Sequence, residues 1–187
     1  MSTPNRPAPV LVYLVTEDWY FLSHRLPMAV AARDAGYAVH VITNVNGGRA
    51  EIEALGFELH HLRWKRGSLN PLPLITRILR VRAIYRRVRP DIVHHVALEP
   101  SIVGSAAALG QPVVRLNAFA GLGYAFSSKT LKARTVGAGL SLLLRFLLRR
   151  PSAAVLVQNP DDRAAAFRLG VRADRVFLVP GSGVDSE

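Results

Sequence analysis

Two adjacent imidazoles, His94 and His95, stand with a carboxylate, Glu99, in the stretch Asp91-Ile-Val-His-His-Val-Ala-Leu-Glu99-Pro100. The apolar run beginning at Ile92 predicts a short buried strand that gives way to a helix at these polar residues. In an open parallel sheet, ligands bind in the crevice outside the carboxyl ends of the strands. Groups of this kind at such a place are set for binding or chemistry. The alternative is that one histidine caps the strand and hydrogen-bonds locally.

Other chemistry-bearing residues fall at equivalent places. Glu17, Asp18, Trp19 and Tyr20 follow the first apolar run, with Ser23, His24 and Arg25 just after. The aromatics suit cover for an apolar or sugar-like ligand. His24 and Arg25 suit an anion, helped by backbone N–H groups at a helix start. Phe21 and Leu22 read as a staple for that helix. Asn117 opens the run Asn117-Ala-Phe-Ala-Gly121-Leu-Gly123-Tyr-Ala-Phe126. Its Gly-x-Gly either brings backbone N–H groups to a phosphate or makes a flexible turn. Gln158 and Asn159 close the sixth apolar run. The convergence of these groups says more than any one of them.

Positioning them requires alternating strands and helices, and the chain has that pattern throughout. Strands are predicted at Val10–Thr16, Ala38–Thr43, Phe57–Leu62, Ile92 to His94 or His95, Val113–Asn117, Ala153–Gln158 and Val176–Val179. Continuous apolar runs of this kind mark buried parallel strands. Helices are predicted at Leu22–Ala35, Glu51–Leu55, from just after Pro73 to about Arg89, Pro100–Leu109, from about Leu131 to Arg149 and from Asn159 to Leu169. Trp64 to Pro73 reads as a loop. In the long helix before Pro90, Leu74, Ile78, Val81, Tyr85 and Val88 form one apolar stripe. The flanking Arg77, Arg80, Arg82, Arg86, Arg87 and Arg89 read as a solvated face. Asn159-Pro160-Asp161-Asp162 carries an N-cap, a first-turn proline and acids at the positive helix end. The fold class is therefore α/β, a doubly wound, mainly parallel, Rossmann-like sheet of about seven strands.

Composition narrows the function. The 187 residues suit a single domain. There is no cysteine, so disulfides and thiolate metal sites are excluded; no residue is assigned as a metal ligand. The turn after the first strand lacks glycine and the second strand ends without an acid, so dinucleotide binding is not expected. No P-loop is present. The first apolar run is too short for a signal core or a membrane span. The net charge of +11 favours a polyanionic partner, although only three of the 24 basic residues are lysine. Those residues flank an apolar stripe and are not interleaved with aromatics, so nucleic acid is not expected. Leu140–Arg150 reads as a helix buried on the sheet, or as a basic apolar helix lying in a membrane interface.

Four segments, Phe21-Leu-Ser-His-Arg-Leu-Pro27, Pro90-Asp-Ile-Val-His-His95, Gly121-Leu-Gly-Tyr-Ala-Phe126 and Val179-Pro-Gly-Ser-Gly-Val-Asp185, together resemble glycosyltransferase family 4. The nearest likeness is the branch that extends polyprenyl-diphosphate-linked sugars. The resemblance implies a GT-B enzyme of two Rossmann-like domains facing a cleft. Residues 1–187 then correspond to the N-terminal, acceptor-side domain, with the donor-binding domain outside them, supplied in cis or by a partner chain. It implies a hexosyltransferase that retains anomeric configuration, uses a nucleotide-sugar as co-substrate and needs no cofactor or metal. It implies a cytoplasmic enzyme of polysaccharide biosynthesis, peripheral on an anionic membrane face, acting on a lipid-linked sugar; alone, the chain is expected to be inactive.

By the same resemblance His94 or His95 hydrogen-bonds a hydroxyl of the transferred sugar. Glu17, Trp19, His24, Arg25, Glu99 and Asn117 are expected around the acceptor, with Gly121 and Gly123 bordering the cleft. Two departures stand out: Glu17-Asp18-Trp19 replaces a common Gly-Gly, and Val96 stands where a second histidine is usual. Two readings compete with the transferase: a non-catalytic module binding a polyanion or membrane, and a nucleotide-sugar epimerase of the same shape. The Gly-Leu-Gly and Pro-Gly-Ser-Gly segments argue against the epimerase.

Overall fold

The computed structural model describes residues 8–64, 71–122 and 131–180, with backbone alone for residues 71 and 131–136. Seven strands form one wholly parallel sheet: β1 Val10–Glu17, β2 Ala38–Asn44, β3 Glu58–His61, β4 Ile92–Val96, β5 Val114–Phe119, β6 Ala153–Val157 and β7 Val176–Leu178. Their spatial order is β3-β2-β1-β4-β5-β6-β7. The chain winds outward from β1 to β3, returns, and winds the other way from β4 to β7. The order reverses between β1 and β4, the switch point at which such sheets open a crevice.

Among the described residues, the α-helices that cover the sheet are α1 Asp18–His24, α2 Leu26–Asp34, α3 Arg49–Ala54, α4 Pro71–Val88, α5 Leu98–Ala107, α6 Leu131–Leu148 and α7 Pro160–Arg168. Residues two apart on a strand share a face, so β1 feeds two cores. Val12 and Leu14 pack with Val81 and Tyr85 of α4 and Val103 of α5. Leu11, Tyr13 and Val15 pack with Phe21, Ala29 and Ile52 of α1, α2 and α3. A third core joins Val155 and Val157 to Leu144 and Leu148 of α6 and Ala165 and Ala166 of α7.

The doubly wound sheet agrees with the sequence pattern, and so does the start of α7, where the Asn159 side chain accepts from Asp162 N at 2.8 Å. Other expectations need correction. The single helix expected over Leu22–Ala35 is two helices, and the first begins at Asp18. Pro27 explains the break, because its ring has no N–H and collides with the carbonyl four residues back, that of Ser23. Arg25 stands at the junction with φ −124° and ψ −11°. The strand carrying His94 and His95 continues to Val96, paired on one side with β1 and on the other with β5. Both imidazoles therefore lie inside the sheet, not beyond its end. Arg77, expected on a solvated face, is buried. Its guanidinium meets Glu99 at 2.6 Å and lies over the Trp64 ring at 5.2 Å. The helix over Leu140–Arg150 has two sides: Leu144, Leu147 and Leu148 are buried, whereas Leu142 and Phe146 are exposed.

His95 fixes how α5 meets the sheet. Its Nδ1–H donates to Asn117 Oδ1 at 2.9 Å, and its Nε2 accepts from Tyr85 Oη at 3.1 Å. Ser105 Oγ donates to the same Asn117 oxygen, and Asn117 Nδ2 reaches Ala154 O. The imidazole lies so close to α5 that a Cβ on Gly104 would clash with His95 Cδ2 and Nε2. Gly104→Ala should therefore lower stability by roughly 1–3 kcal/mol, the usual cost of overpacking, despite alanine's better helix propensity. A denaturant midpoint unchanged or raised by the substitution would refute this packing.

Candidate functional site

The carboxyl ends of β1, β4 and β5 frame a small cavity of about 120 Å³ lined by Thr16, Tyr20, Arg25, Val96, Ala97, Ala118 and Ala120. Arg25 is its most telling member. The residue is 4 % exposed, and its Nε has no hydrogen-bond partner. Among the described residues no carboxylate pairs with it. Burial opposes its charge and draws its pKa down, partly offset by Tyr20 and Tyr13. A guanidinium nevertheless keeps its proton in a protein, so a buried cation is left under-satisfied.

Two further orphans lie beside it. Tyr13 and His94 face each other across β1 and β4, with ring centroids 5.0 Å apart. Neither Tyr13 Oη nor His94 Nε2 has a partner. Burial, then the Arg25 charge, then His95, hold His94 down at a pKa of about 3. Burial pushes the Tyr13 hydroxyl well above its ordinary range. Buried polar groups are normally hydrogen-bonded, and exceptions call for explanation. Three of them gather in one cluster at the switch point. Ala97 adds backbone strain: it takes φ 81° and ψ 172° at the β4-to-α5 turn, a conformation strained for any residue but glycine. No side chain caps the α5 N-terminus beside it.

The expected site residues divide. Arg25 lines the cavity, and His94 lies on the same face of β4, beneath it. His24 stacks on Tyr20 at 4.3 Å and meets Ser23 Oγ at 2.6 Å. Trp19 stands at the rim, 54 % exposed. The others are engaged elsewhere. The alternation of β4 sends His95 to the opposite face, into the Tyr85–Asn117–Ser105 network, and Asn117 is fully buried there with it. Glu99 is tied to Arg77. Glu17 accepts from Asn44 and Asn46 side chains at 3.2 and 2.5 Å. Gly121, at φ 88°, donates its N–H to Asp162 Oδ2 at 2.8 Å. Gly123 lies outside the described residues, as do 65–70 of the expected loop and most of the segments ending at Phe126 and Asp185.

Sequence reasoning named Asp18 without giving it a role and passed over Tyr13 and Ala97. The Asp18 carboxylate accepts from Trp19, Asn46 and Gly48 N–H groups at 2.8, 2.6 and 2.9 Å, binding the first two strand-to-helix turns together. Its signal was the second of two adjacent acids, Glu17-Asp18, with Gly48 of a Gly-Gly pair 30 residues on. A Cβ on Gly48 would lie 2.9 Å from Leu22 Cδ1. Tyr13 left a weaker signal, a phenol inside an otherwise aliphatic strand.

A second hollow, of about 620 Å³, lies between the end of β3 and α4, lined by Asn44, Arg63, Trp64, Leu72, Thr76 and Arg80 among others. Leu72, Ile75 and Leu79 make an exposed apolar stripe along α4. Among the described residues no helix is long and apolar enough to cross a membrane.

A doubly wound parallel sheet with an under-satisfied polar crevice at its switch point defines a Rossmann-like α/β unit. The family described as Glycosyl transferase 4-like matches residues 11–159, and the chain belongs to that family. Its fold is shared with a glycosyltransferase from Rickettsia africae ESF-5, at 11 % identity and a TM-score of 0.65, covering 94 % of this chain and 43 % of that one. It is shared with a sucrose-phosphate synthase from Thermosynechococcus elongatus, at 12 % identity and a TM-score of 0.66, covering 92 % and 48 %. It is also shared with a UDP-GlcNAc 2-epimerase from Methanocaldococcus jannaschii, at 12 % identity and a TM-score of 0.63, covering 91 % and 45 %. The chain thus spans less than half the length of these three structures. No curated protein sequence matches it significantly.

The buried imidazoles give the fold a definite acid response. His95, like His94, is depressed by burial, to about 4, with the Asn117 hydrogen bond opposing the shift. Unfolded, both titrate near 6.5, so the unfolded state takes up protons first as pH falls. The neutral pair costs nothing above pH 6.5, and stability drops from there towards the folded values. By pH 5 each imidazole should remove about 2 kcal/mol. Urea unfolding at pH 7.5 and 5.0 measures this, and His94→Leu should abolish about 2 kcal/mol of the difference. An equal pH dependence in the variant would contradict the assignment.

Proposed function

We propose that this chain is the acceptor-side half of a sugar transferase that moves a hexosyl group from a nucleotide-sugar to a lipid-linked sugar diphosphate. The observation that carries the reading is the buried, unpartnered Arg25 at the switch-point cavity, in a chain of the Glycosyl transferase 4-like family. A desolvated guanidinium gains most from a phosphate, which accepts its planar donor fork. The α5 N-terminus favours the same charge. Tyr13 and His94 offer a hydroxyl and a neutral imidazole to sugar hydroxyls.

The mechanism asks of this half that it bind, orient and exclude water. Transfer breaks the bond from the anomeric carbon to the nucleoside diphosphate and forms one to an acceptor oxygen. Positive charge develops on the sugar, so positioning and electrostatic stabilisation do the work. His94 is kept neutral, so it hydrogen-bonds the sugar and adds no like charge to that centre. Stabilising the departing diphosphate falls to the donor-binding half, in cis or on a partner chain. No cofactor is invoked, and the products retain anomeric configuration in this reading.

The apolar stripe Leu72-Ile75-Leu79, beside the hollow with Arg63 and Arg80, suits a lipid tail and an anionic headgroup layer. On this reading the enzyme works from the cytoplasmic face of the membrane. The test uses the protein that carries the donor-binding half, with nucleotide-sugar and polyprenyl-diphosphate-sugar in anionic vesicles. Arg25→Gln should lower kcat/KM for the acceptor roughly 10- to 100-fold, the value of a hydrogen bond to a charged group. Arg25→Lys should recover only part of it. Transfer unaffected by Arg25→Gln would remove Arg25 from the acceptor site. Vesicle binding with no transfer to any sugar acceptor would instead support a non-catalytic membrane module.

A further inference from the structure

Away from the cleft, three ligand-bearing side chains converge on the face of β2 and β3 that α4 covers. His40 is register partner to Glu58, and Ile42 to His60. His40, Glu58 and His60 therefore share one side. His40 Nδ1 lies 3.1 Å from His60 Nε2. One Glu58 oxygen is 3.5 Å from His40 Nδ1, and the other is 3.6 Å from His60 Nε2. Ligand atoms bound tetrahedrally at about 2.0–2.2 Å stand roughly 3.3–3.6 Å from one another. The three separations come close to that spacing, with the histidine pair slightly tighter and one Glu58 oxygen toward each imidazole.

We propose that His40, Glu58 and His60 form a site for a divalent transition-metal ion of the zinc class, with a fourth position open to water. Two imidazoles and a carboxylate suit such an ion better than calcium or magnesium, which prefer all-oxygen shells. Glu58 is exposed, so the ion has a path in. Burial holds both imidazoles below their ordinary pKa, against the opposing pull of Glu58. Metal binding uses the neutral form of each imidazole.

One group opposes the ion. Arg87 NH2 lies 3.2 Å from His60 Nδ1. In the empty site it donates there, which leaves the His60 proton on Nε2, shared with His40. Metal on Nε2 moves that proton to Nδ1, so Arg87 must turn away. Its exposed position on α4 allows this. The ion would clamp the edge strand β3 to β2. His40 precedes Asn44, the last residue of β2, by roughly 13 Å of strand, so the role is structural and independent of sugar transfer.

Calorimetric titration of the metal-stripped chain with zinc chloride at pH 7.5 tests this, with cobalt(II) as the spectroscopic probe. One ion should bind per chain, and cobalt should give the visible absorption of a tetrahedral site. Glu58→Gln and His60→Gln should each weaken binding roughly tenfold or more, and Arg87→Ala should strengthen it. Glu58 is exposed, so its variant keeps the fold, which circular dichroism checks. Absence of saturable binding, or binding that neither Glu58→Gln nor His60→Gln weakens, overturns the proposal and leaves a hydrogen-bonded histidine pair.

Discussion

The alternation of side chains along β4 decides the character of this molecule. The strand is five residues long and is flanked on both edges by other strands, so each residue must face one helical layer or the other. His94 goes to the side of α1 and α2, and His95 to the side of α4 and α5. Two chemically identical neighbours thereby acquire opposite fates. His95 finds a phenol on one nitrogen and a carboxamide on the other, and every hydrogen bond of its neutral form is made. His94 meets an aromatic ring and a buried cation, and its Nε2 is left without a partner. A satisfied buried network rigidifies a core, whereas an unsatisfied group of the same kind is costly. Tyr13 Oη, His94 Nε2 and Arg25 Nε thus gather on one face next to the switch point, while Arg115 Nε of β5 is unpartnered on the other.

Pro27 completes the arrangement. A continuous helix from Asp18 to Ala35 would carry Arg25 at ordinary helical spacing. The break instead places Arg25 between two short helices, where its N–H closes α1 on Phe21 O and its carbonyl accepts from Ala29 N. The backbone at this junction is fully used, so the side chain alone is left to be satisfied. The placement leaves a buried donor without a partner, which is costly for stability.

The parallel strands were legible because β1 and β6 read as unbroken apolar runs, which only doubly covered strands require. The start of α7 was legible because its cap is local: Asn159, Pro160 and Asp162 are close in sequence and in space. The site was legible in part. Its location followed from the rule that parallel sheets bind ligands at their carboxyl edge, and Arg25 was among the residues read there. The side to which each histidine turns was not legible, because a strand end and a strand interior share the same residue types. The fate of Glu99 was hidden too, since its partner Arg77 lies 22 residues away. Helical periodicity placed Arg77 beside the apolar stripe without showing that Trp64 and Glu99 close over it.

The net positive charge has a similar history. Read from composition, +11 points to a polyanionic partner. In the folded chain several arginines serve backbone carbonyls instead. Arg82 donates to Ala107 O and Leu109 O at the end of α5. Arg33 donates to Leu55 O at the end of α3, and Arg175 to Pro151 O just beyond α6. Helix C-termini carry partial negative charge and unpaired carbonyls, and a guanidinium from a neighbouring element answers both. A lysine would supply the charge without the planar fork of donors. That is a physical reason for arginine's dominance over lysine here, and it separates structural cations from the few that are placed to meet a ligand. Arg25 differs from the structural cations: it is buried, its Nε lacks a partner and it lines the switch-point cavity, whereas Arg115, with an equally unpartnered Nε, is anchored on Ser152 Oγ away from it.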